Sequence, residues 1–382
     1  MKKLKSVVII FLSVSIEFFI FPVIAVNPDV SAKSSIVMCA DSGVVLWSKN
    51  ETVTLPMAST TKIMTSLLTL EYMEAMGNKE IEITDEMVRV EGTSMGLMPG
   101  NVVTLDALAK GMLLCSGNDA ANAAAIAVGG TVDNFIVLMN EKAKQIGMKD
   151  TKFSTPSGLD KDNHHSTAAD MAILGVYAME NEKFANIVSQ KSMKVKFVNP
   201  SKTVSYRNHN KLLRLYENCI GIKTGFTKAA GRCLVSCAEK NGIRLICVTL
   251  NAPSDWDDHI NLYNFGFENT VLKNFDDHFK INIKAINKDE KIDLECKCEN
   301  SFSCSIKKGE ESNVKRKVIL PETINAPIEK GQIVGNVVYY LGDTPIGKNN
   351  IISDREIKNM VEPKKNFFYS IMNFFRKCLG GK

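Results

Sequence analysis

Ser59 and Lys62 stand three residues apart at the head of Pro56–Leu70, an apolar segment whose hydrophobic residues recur with helical spacing. Positions three apart on a helix share a face, so the serine Oγ and the lysine Nζ can come within hydrogen-bond reach. A serine hydroxyl is a weak nucleophile until a neighbouring base removes its proton. Lysine can be that base once burial, a second cation or the positive end of a helix dipole lowers its pKa. Taken alone, the pair fits a polar helix cap equally well. Two later triplets change the balance: Ser116-Gly117-Asn118 and Lys223-Thr224-Gly225 follow in that order. A second hydroxyl, an amide and a second lysine could relay a proton, hold the base and bind an anion.

The elements that must position these groups can be read around them. Residues 35–47 form two short apolar strands about Asp41-Ser42-Gly43, a hairpin signal. Ser59 opens a helix running to Met76. Met95–Asn101 is a turn, Leu105–Leu114 a helix that halts at Ser116, and Asp119–Val128 and Val132–Ile146 two more helices. Residues 150–169 read as loop, Met171–Met179 as helix and Met193–Asn199 as strand. Arg232–Ala238 and Ile243–Leu250 are further strands, which places Lys223-Thr224-Gly225 between sheet elements, on an edge strand facing a cleft. Strands at both ends with helices between them predict an α/β (α+β) domain, a sheet packed on a helical cluster. Beyond Phe267 the composition turns to lysine, valine and isoleucine in short alternating runs, which predicts a small all-β domain.

With these three motifs the chain resembles the D-alanyl-D-alanine carboxypeptidases, low-molecular-mass penicillin-binding proteins of the serine peptidase family S11. Further stretches carry the likeness: Leu55-Pro56-Met57-Ala58, Ser94-Met95-Gly96-Leu97, Phe153–Leu159 with His165-Ser166-Thr167, and Asn208-His209-Asn210-Lys211-Leu212-Leu213. The resemblance implies a penicillin-binding/β-lactamase-like transpeptidase fold with an antiparallel sheet. It implies Ser59 as nucleophile on a terminal D-Ala-D-Ala peptide, Lys62 as base and Ser116 as proton relay. Asn118 would hold Lys62 and the substrate backbone. Lys223, Thr224 and Thr227 would meet the substrate carboxylate, Gly225 belongs to the same substrate-binding strand, and the N–H groups of Ser59 and Phe226 would form the oxyanion hole. No cofactor or metal is implied. Peptidoglycan stem peptides are the implied substrate and β-lactam antibiotics the implied covalent inhibitors. Two alternatives remain at this point, a β-lactamase and a penicillin-binding wall scaffold with vestigial catalysis. Against the first, Glu141 and Glu180 lie in helical stretches, and no glutamate between residues 130 and 200 has the asparagine neighbour that would hold a deacylating water.

The ends of the chain have their own character. Met1-Lys2-Lys3-Leu4-Lys5 followed by an apolar run to Ala25 reads as a secretory signal, so the protein is expected on the outer face of the cytoplasmic membrane. Residues 364–382 carry five basic residues and no acidic one, with Phe367, Phe368, Ile371, Phe374 and Phe375 on one helical face, an amphipathic anchor for a membrane surface. The formal net charge of +5 is concentrated at these two ends, a distribution that argues against a nucleic-acid partner. The expected domains are therefore a signal peptide over 1–25, the peptidase domain over 26–268, a small β-sandwich over 269–358 and the anchor helix over 364–382. Most of the ten cysteines fall in apolar stretches and read as buried thiols. Cys115, beside Ser116, is either such a filler or a thiol that sensitises the site. His164, His165 and His209 fit no metal or triad spacing and read as structural or cleft-shaping.

Overall fold

A computed structural model describes residues 27–161, 163–277, 280–288 and 290–359; the leader and the amphipathic tail lie outside the described residues. The chain opens with β1 (Ser34–Cys39) and β2 (Val45–Lys49), a hairpin whose first strand is buried along its whole length. A 3₁₀ turn over Ala58–Thr61 leads into α1 (Lys62–Met76). There follow β3 (Glu80–Glu82), α2 (Asp85–Val88), β4 (Val102–Thr104), α3 (Leu105–Leu114), α4 (Asn118–Gly129), α5 (Val132–Gln145), α6 (Ala168–Glu180) and α7 (Glu182–Ser189). The chain returns through β5 (Ser192–Phe197), β6 (Lys202–Arg207), α8 (Leu212–Leu215), β7 (Cys219–Thr227), β8 (Gly231–Lys240), β9 (Ile243–Leu250) and α9 (Asp255–Glu268).

Five strands form one antiparallel sheet in the order β2-β1-β9-β8-β7, so the strand bearing Lys223 is the edge. Side chains alternate across it. Val235 and Ile246 face the helical cluster, while Leu234 and Leu245 face α9. The sheet is therefore covered on both faces, as its near-continuous apolar strands require. Two close approaches depend on the absence of a side chain. A Cβ at Gly175 of α6 would sit 3.2 Å from Val235, and one at Gly266 of α9 would sit 2.7 Å from Leu245. Within the cluster, α4 buries Ala120, Ala121, Ala123, Ala124 and Ala125, whose small side chains let α1, α3 and α5 pack closely against it.

The second region comprises β10 (Thr270–Phe275), β11 (Lys280–Asn287), β12 (Glu290–Cys298), β13 (Phe302–Lys307), β14 (Val314–Ile319), β15 (Thr323–Asn325), β16 (Ile333–Leu341) and β17 (Thr344–Ser353). Its six-stranded sheet and the β10-β13 ribbon enclose their own core around Ile283, Leu294, Val337 and Tyr339. The Asp41-Ser42-Gly43 turn reaches into this region. Ser42 Oγ donates to the Ser305 carbonyl at 2.5 Å and the Ser305 N–H donates to Asp41 Oδ2 at 2.8 Å.

One buried histidine links this architecture to pH. His259 of α9 is fully buried, with Nδ1 2.6 Å from Ser236 Oγ and Nε2 2.9 Å from Thr249 Oγ1. Burial pushes its pKa down from 6.5 to about 3. The unfolded chain therefore takes up this proton first. The stabilisation is complete above about pH 6.5 and declines by about 1.4 kcal/mol per pH unit as pH falls toward the folded value. Urea unfolding of His259→Asn between pH 6 and 4 is expected to show a slope of stability against pH smaller by about one proton. An unchanged slope would contradict this.

Candidate active site

Ser59 sits on a turn that the sequence builds with two threonines. Thr60 Oγ1 donates to the Met57 carbonyl at 2.5 Å and Thr61 Oγ1 to the Ala58 carbonyl at 2.8 Å. Ala58 is left-handed at φ 49°, an unusual state for a residue with a Cβ, and Ser59 follows it half-buried at the cleft floor. Ser59 thus lies on the 3₁₀ turn rather than on an α-helix, and the α-helix begins at Lys62. The tighter turn still brings the two side chains together.

Lys62 Nζ lies 2.9 Å from Ser59 Oγ, 2.7 Å from Asn118 Oδ1 and 2.6 Å from the Ser157 carbonyl oxygen. The lysine is completely buried. Burial drives its pKa well below the ordinary lysine value of 10.5, and the neighbouring Lys223 charge pushes the same way. Of the causes open at the sequence level, burial is the larger and the second cation, Lys223, the smaller. In the neutral amine two N–H bonds go to the Asn118 and Ser157 oxygens, and the lone pair is left for the Ser59 hydroxyl proton. The Asn118 amide is fixed from its other end, its Nδ2 donating to the Glu91 carbonyl at 2.6 Å.

Ser116 occupies the left-handed region at φ 62° and is almost fully buried beside Asn118. Its backbone carbonyl accepts Thr93 Oγ1 at 2.6 Å, and the Asn118 N–H donates to the Thr93 carbonyl at 2.7 Å. From the far side comes β7. Lys223 is buried and its pKa falls to about 8 by burial, with Nζ donating to the Thr224 carbonyl at 3.0 Å. Gly225 is required by proximity: a Cβ there would stand 3.0 Å from Ser59 N and from the Met57 carbonyl oxygen. Phe226 is exposed at the rim. The Thr227 hydroxyl donates to Asp160 Oδ1 at 3.0 Å while accepting from the Ala230 N–H, so in this structure its proton is already engaged.

Arg232, Asp255 and Trp256 at the cleft escaped the sequence reading. A cleft of about 340 Å³ runs over Ser59, Ser116, Thr224 and Phe226, and its outer wall is Arg232 with Asp255 and Trp256 at the start of α9. Arg232 Nε and Nη2 both donate to Asp255 Oδ1, at 2.9 and 2.7 Å, and the guanidinium lies 5.3 Å from the Trp256 ring centroid. Arg232, paired in register with Phe226, thus presents a held guanidinium to the same cleft as Thr224. His164 accepts the Ser154 N–H at Nδ1 and meets Thr61 Oγ1 at 2.8 Å through Nε2, which braces the Ser59 turn from behind. Burial holds its pKa down at about 4, so it donates there as neutral imidazole. Cys115 donates to the Gly111 carbonyl at 3.2 Å and burial pushes its thiol up to about 11, which fits the filler and not a reactive thiolate. Glu141 is exposed on α5, and Glu180 borders a separate groove with Ala40 and Arg244.

An antiparallel sheet with a helical cluster, a Ser-Lys pair at the head of a buried helix and an edge strand closing the cleft define the penicillin-binding, transpeptidase class of fold. The comparisons give the family. The description "D-alanyl-D-alanine carboxypeptidase" matches residues 22–254, and "Penicillin-binding protein 5, C-terminal domain" matches residues 267–359. The chain belongs to the D-alanyl-D-alanine carboxypeptidase family of serine peptidases, S11. It is 31% identical over 341 residues to the D-alanyl-D-alanine carboxypeptidase DacF of Bacillus subtilis, covering 86% of each protein. It is 34% identical over 345 residues to DacC of Escherichia coli, covering 85% of this chain and 84% of the relative. Among solved structures, penicillin-binding protein 5 of Haemophilus influenzae superposes with a TM-score of 0.69 at 29% identity, over 87% of this chain and 99% of that one. The protein is a serine-type D-Ala-D-Ala carboxypeptidase, a hydrolase and a penicillin-binding protein.

Proposed function

We propose that this enzyme removes the terminal D-alanine of peptidoglycan stem pentapeptides through an acyl-enzyme on Ser59, and that penicillin inhibits it by acylating the same oxygen. The observation that carries this reading is the buried Lys62 Nζ, 2.9 Å from Ser59 Oγ with its two other partners both carbonyl oxygens. Lys62 takes the hydroxyl proton as Oγ attacks the carbonyl carbon of the penultimate D-alanine. The resulting oxyanion is held by the N–H groups of Ser59 and Phe226, each such donor contributing about 3–4 kcal/mol in comparable sites. Collapse breaks the C–N bond, the proton reaches the departing amine by way of Ser116, and free D-alanine leaves. Lys62, neutral again, then takes a proton from the water that attacks the ester carbonyl and passes it to Ser59 Oγ as the acyl C–O bond breaks, which restores the serine hydroxyl and the free amine. Lys223, Thr224 and Arg232 hold the substrate's terminal carboxylate at the cleft wall.

A β-lactam enters the same sequence with one difference. Its leaving nitrogen stays tethered to the acyl group and blocks the path of water, so the ester persists. The basic, apolar sequence of residues 1–25 together with the amphipathic pattern of 364–382 supports export and attachment to the outer face of the cytoplasmic membrane, where a peptidoglycan substrate would be met. The test is a D-alanine release assay on a stem pentapeptide with wild type beside Ser59→Ala. Release is expected to fall by about 10⁴-fold or more in the variant. Release that does not depend on Ser59 would sink the proposal.

A further inference from the structure

Asp119 follows Asn118 directly and has no part in the scheme above, yet its carboxylate is among the most heavily engaged polar groups near the site. It is 3% exposed. Oδ1 accepts the N–H groups of Met95 and Ala120, both at 2.9 Å, and Oδ2 accepts Ser94 Oγ at 2.5 Å and the N–H groups of Gly96 and Leu97 at 3.1 and 3.0 Å. Four of the five donors are backbone, and three of those belong to consecutive residues whose N–H groups converge on one anion.

The segment gripped in this way lies directly on the Ser116-Gly117-Asn118 turn. Met95 N is 3.0 Å from where a Cβ on Gly117 would stand, and the Met95 carbonyl is held from its other side by Tyr206 Oη at 2.5 Å. Thr93 and Glu91, just upstream, supply the hydrogen bonds that fix the Ser116 carbonyl and the Asn118 amide. Ser116 is in a left-handed conformation that is unfavourable for a side-chain-bearing residue and persists only where its surroundings impose it. Those surroundings are residues 91–97, and Asp119 is what binds them to the head of α4.

We propose that Asp119 is a positioning residue of this enzyme: by gripping residues 94–97 it holds the Ser116 hydroxyl and the Asn118 amide in register with Lys62. The proposal rests on the acyl-enzyme reading above. The negative charge of Asp119 also acts on Lys62 at a distance. The charged and titratable groups about Lys62 are Lys223 from β7, Cys115 from the end of α3 and Asp119 from α4, of which Lys223 lowers the lysine's pKa and Asp119 raises it. Loss of the Asp119 charge should therefore leave Lys62 a free base to a lower pH, a shift that mere loosening of the turn would not produce.

The test compares Asp119→Asn, Ser94→Ala and Ser59→Ala in the full chain, with D-alanine release and fluorescent penicillin labelling followed from pH 4 to 9. An asparagine amide turned toward backbone N–H groups sets donor against donor. For Asp119→Asn, kcat is expected to fall about 100-fold with KM changed less than about threefold, and the acid limb of kcat to move to lower pH. Ser94→Ala removes the hydroxyl's bond to Asp119 and its acceptance of the Gly96 N–H at 2.8 Å, but no charge, so kcat should fall about fivefold with the acid limb in place. Wild-type kcat in either variant, or a loss in Asp119→Asn with an unmoved acid limb, overturns the proposal. Should Asp119→Asn not fold, Ser94→Ala decides by the same criterion of kcat at constant KM. Release that persists in Ser59→Ala would instead overturn the acyl-enzyme reading and leave the two failures distinguishable.

Discussion

Replacing Lys62 by methionine is expected to slow acylation by fluorescent penicillin about 10³–10⁴-fold, with the fold retained. The reasoning is geometric before it is electrostatic. Methionine has nearly the length of the lysine stem and suits a fully buried site, so the variant removes the amine and leaves the volume. What disappears is the amine 2.9 Å from Ser59 Oγ, the group proposed to accept the hydroxyl proton. Lys62→Arg should be as inactive, because a guanidinium keeps its proton throughout the accessible pH range. In the wild type, acylation should decline as pH falls through the pKa of Lys62, which burial and Lys223 place well below the ordinary lysine value. Lys62→Met should lack that titration. Stopped-flow labelling within tenfold of wild type for Lys62→Met would remove lysine from the base role.

The second large effect concerns a residue with no functional side chain. Gly158 is left-handed at φ +84°, and a Cβ there would lie 2.0 Å from the Ala58 carbonyl oxygen, 2.5 Å from its carbon and 2.8 Å from Thr61 Oγ1. All three belong to the nucleophile turn, and two of the three are backbone atoms that cannot move aside cheaply. The same loop sends the Ser157 carbonyl to Lys62 and the Pro156 carbonyl to Thr65 Oγ1 at 2.6 Å. Gly158→Ala is therefore expected to lower acylation by about 100-fold or more and to destabilise the domain by about 3–5 kcal/mol. Gly147→Ala is the matched control. Gly147 is equally left-handed at φ +90°, but nothing lies within 4 Å of its added Cβ, so only about 1–2 kcal/mol of backbone strain and no loss of acylation are expected. Equal activity in the two variants, measured by labelling and thermal unfolding, would show that the contact with Ala58 does not hold the nucleophile.

These two residues mark what a linear reading can and cannot reach. Lys62 was legible because its chemistry depends on a serine three positions away, and the later triplets are short, local and ordered. The sheet with its helical cluster and the trailing β domain were legible for the same reason, since apolar periodicity is a local property. Gly158 was not. Its importance comes from an approach to Ala58, a hundred residues earlier, that no spacing encodes. Asp119 and Arg232 were missed likewise, because their partners, residues 94–97 and Asp255, are joined to them only by the fold. The α7 helix is a different case. Asn181 caps it by accepting the Phe184 N–H, and Phe184, Ile187 and Val188 repeat at helical spacing, so the signal was present but short.

The central claim is that Ser59 is the atom acylated and Lys62 the base that makes it so. Peptide mapping by mass spectrometry after brief exposure to penicillin tests it most directly. The predicted result is a single adduct of one intact penicillin on the peptide containing Ser59, absent from Ser59→Ala and formed far more slowly in Lys62→Met. An adduct on Ser116 or any other residue, or one that survives in Ser59→Ala, would contradict it.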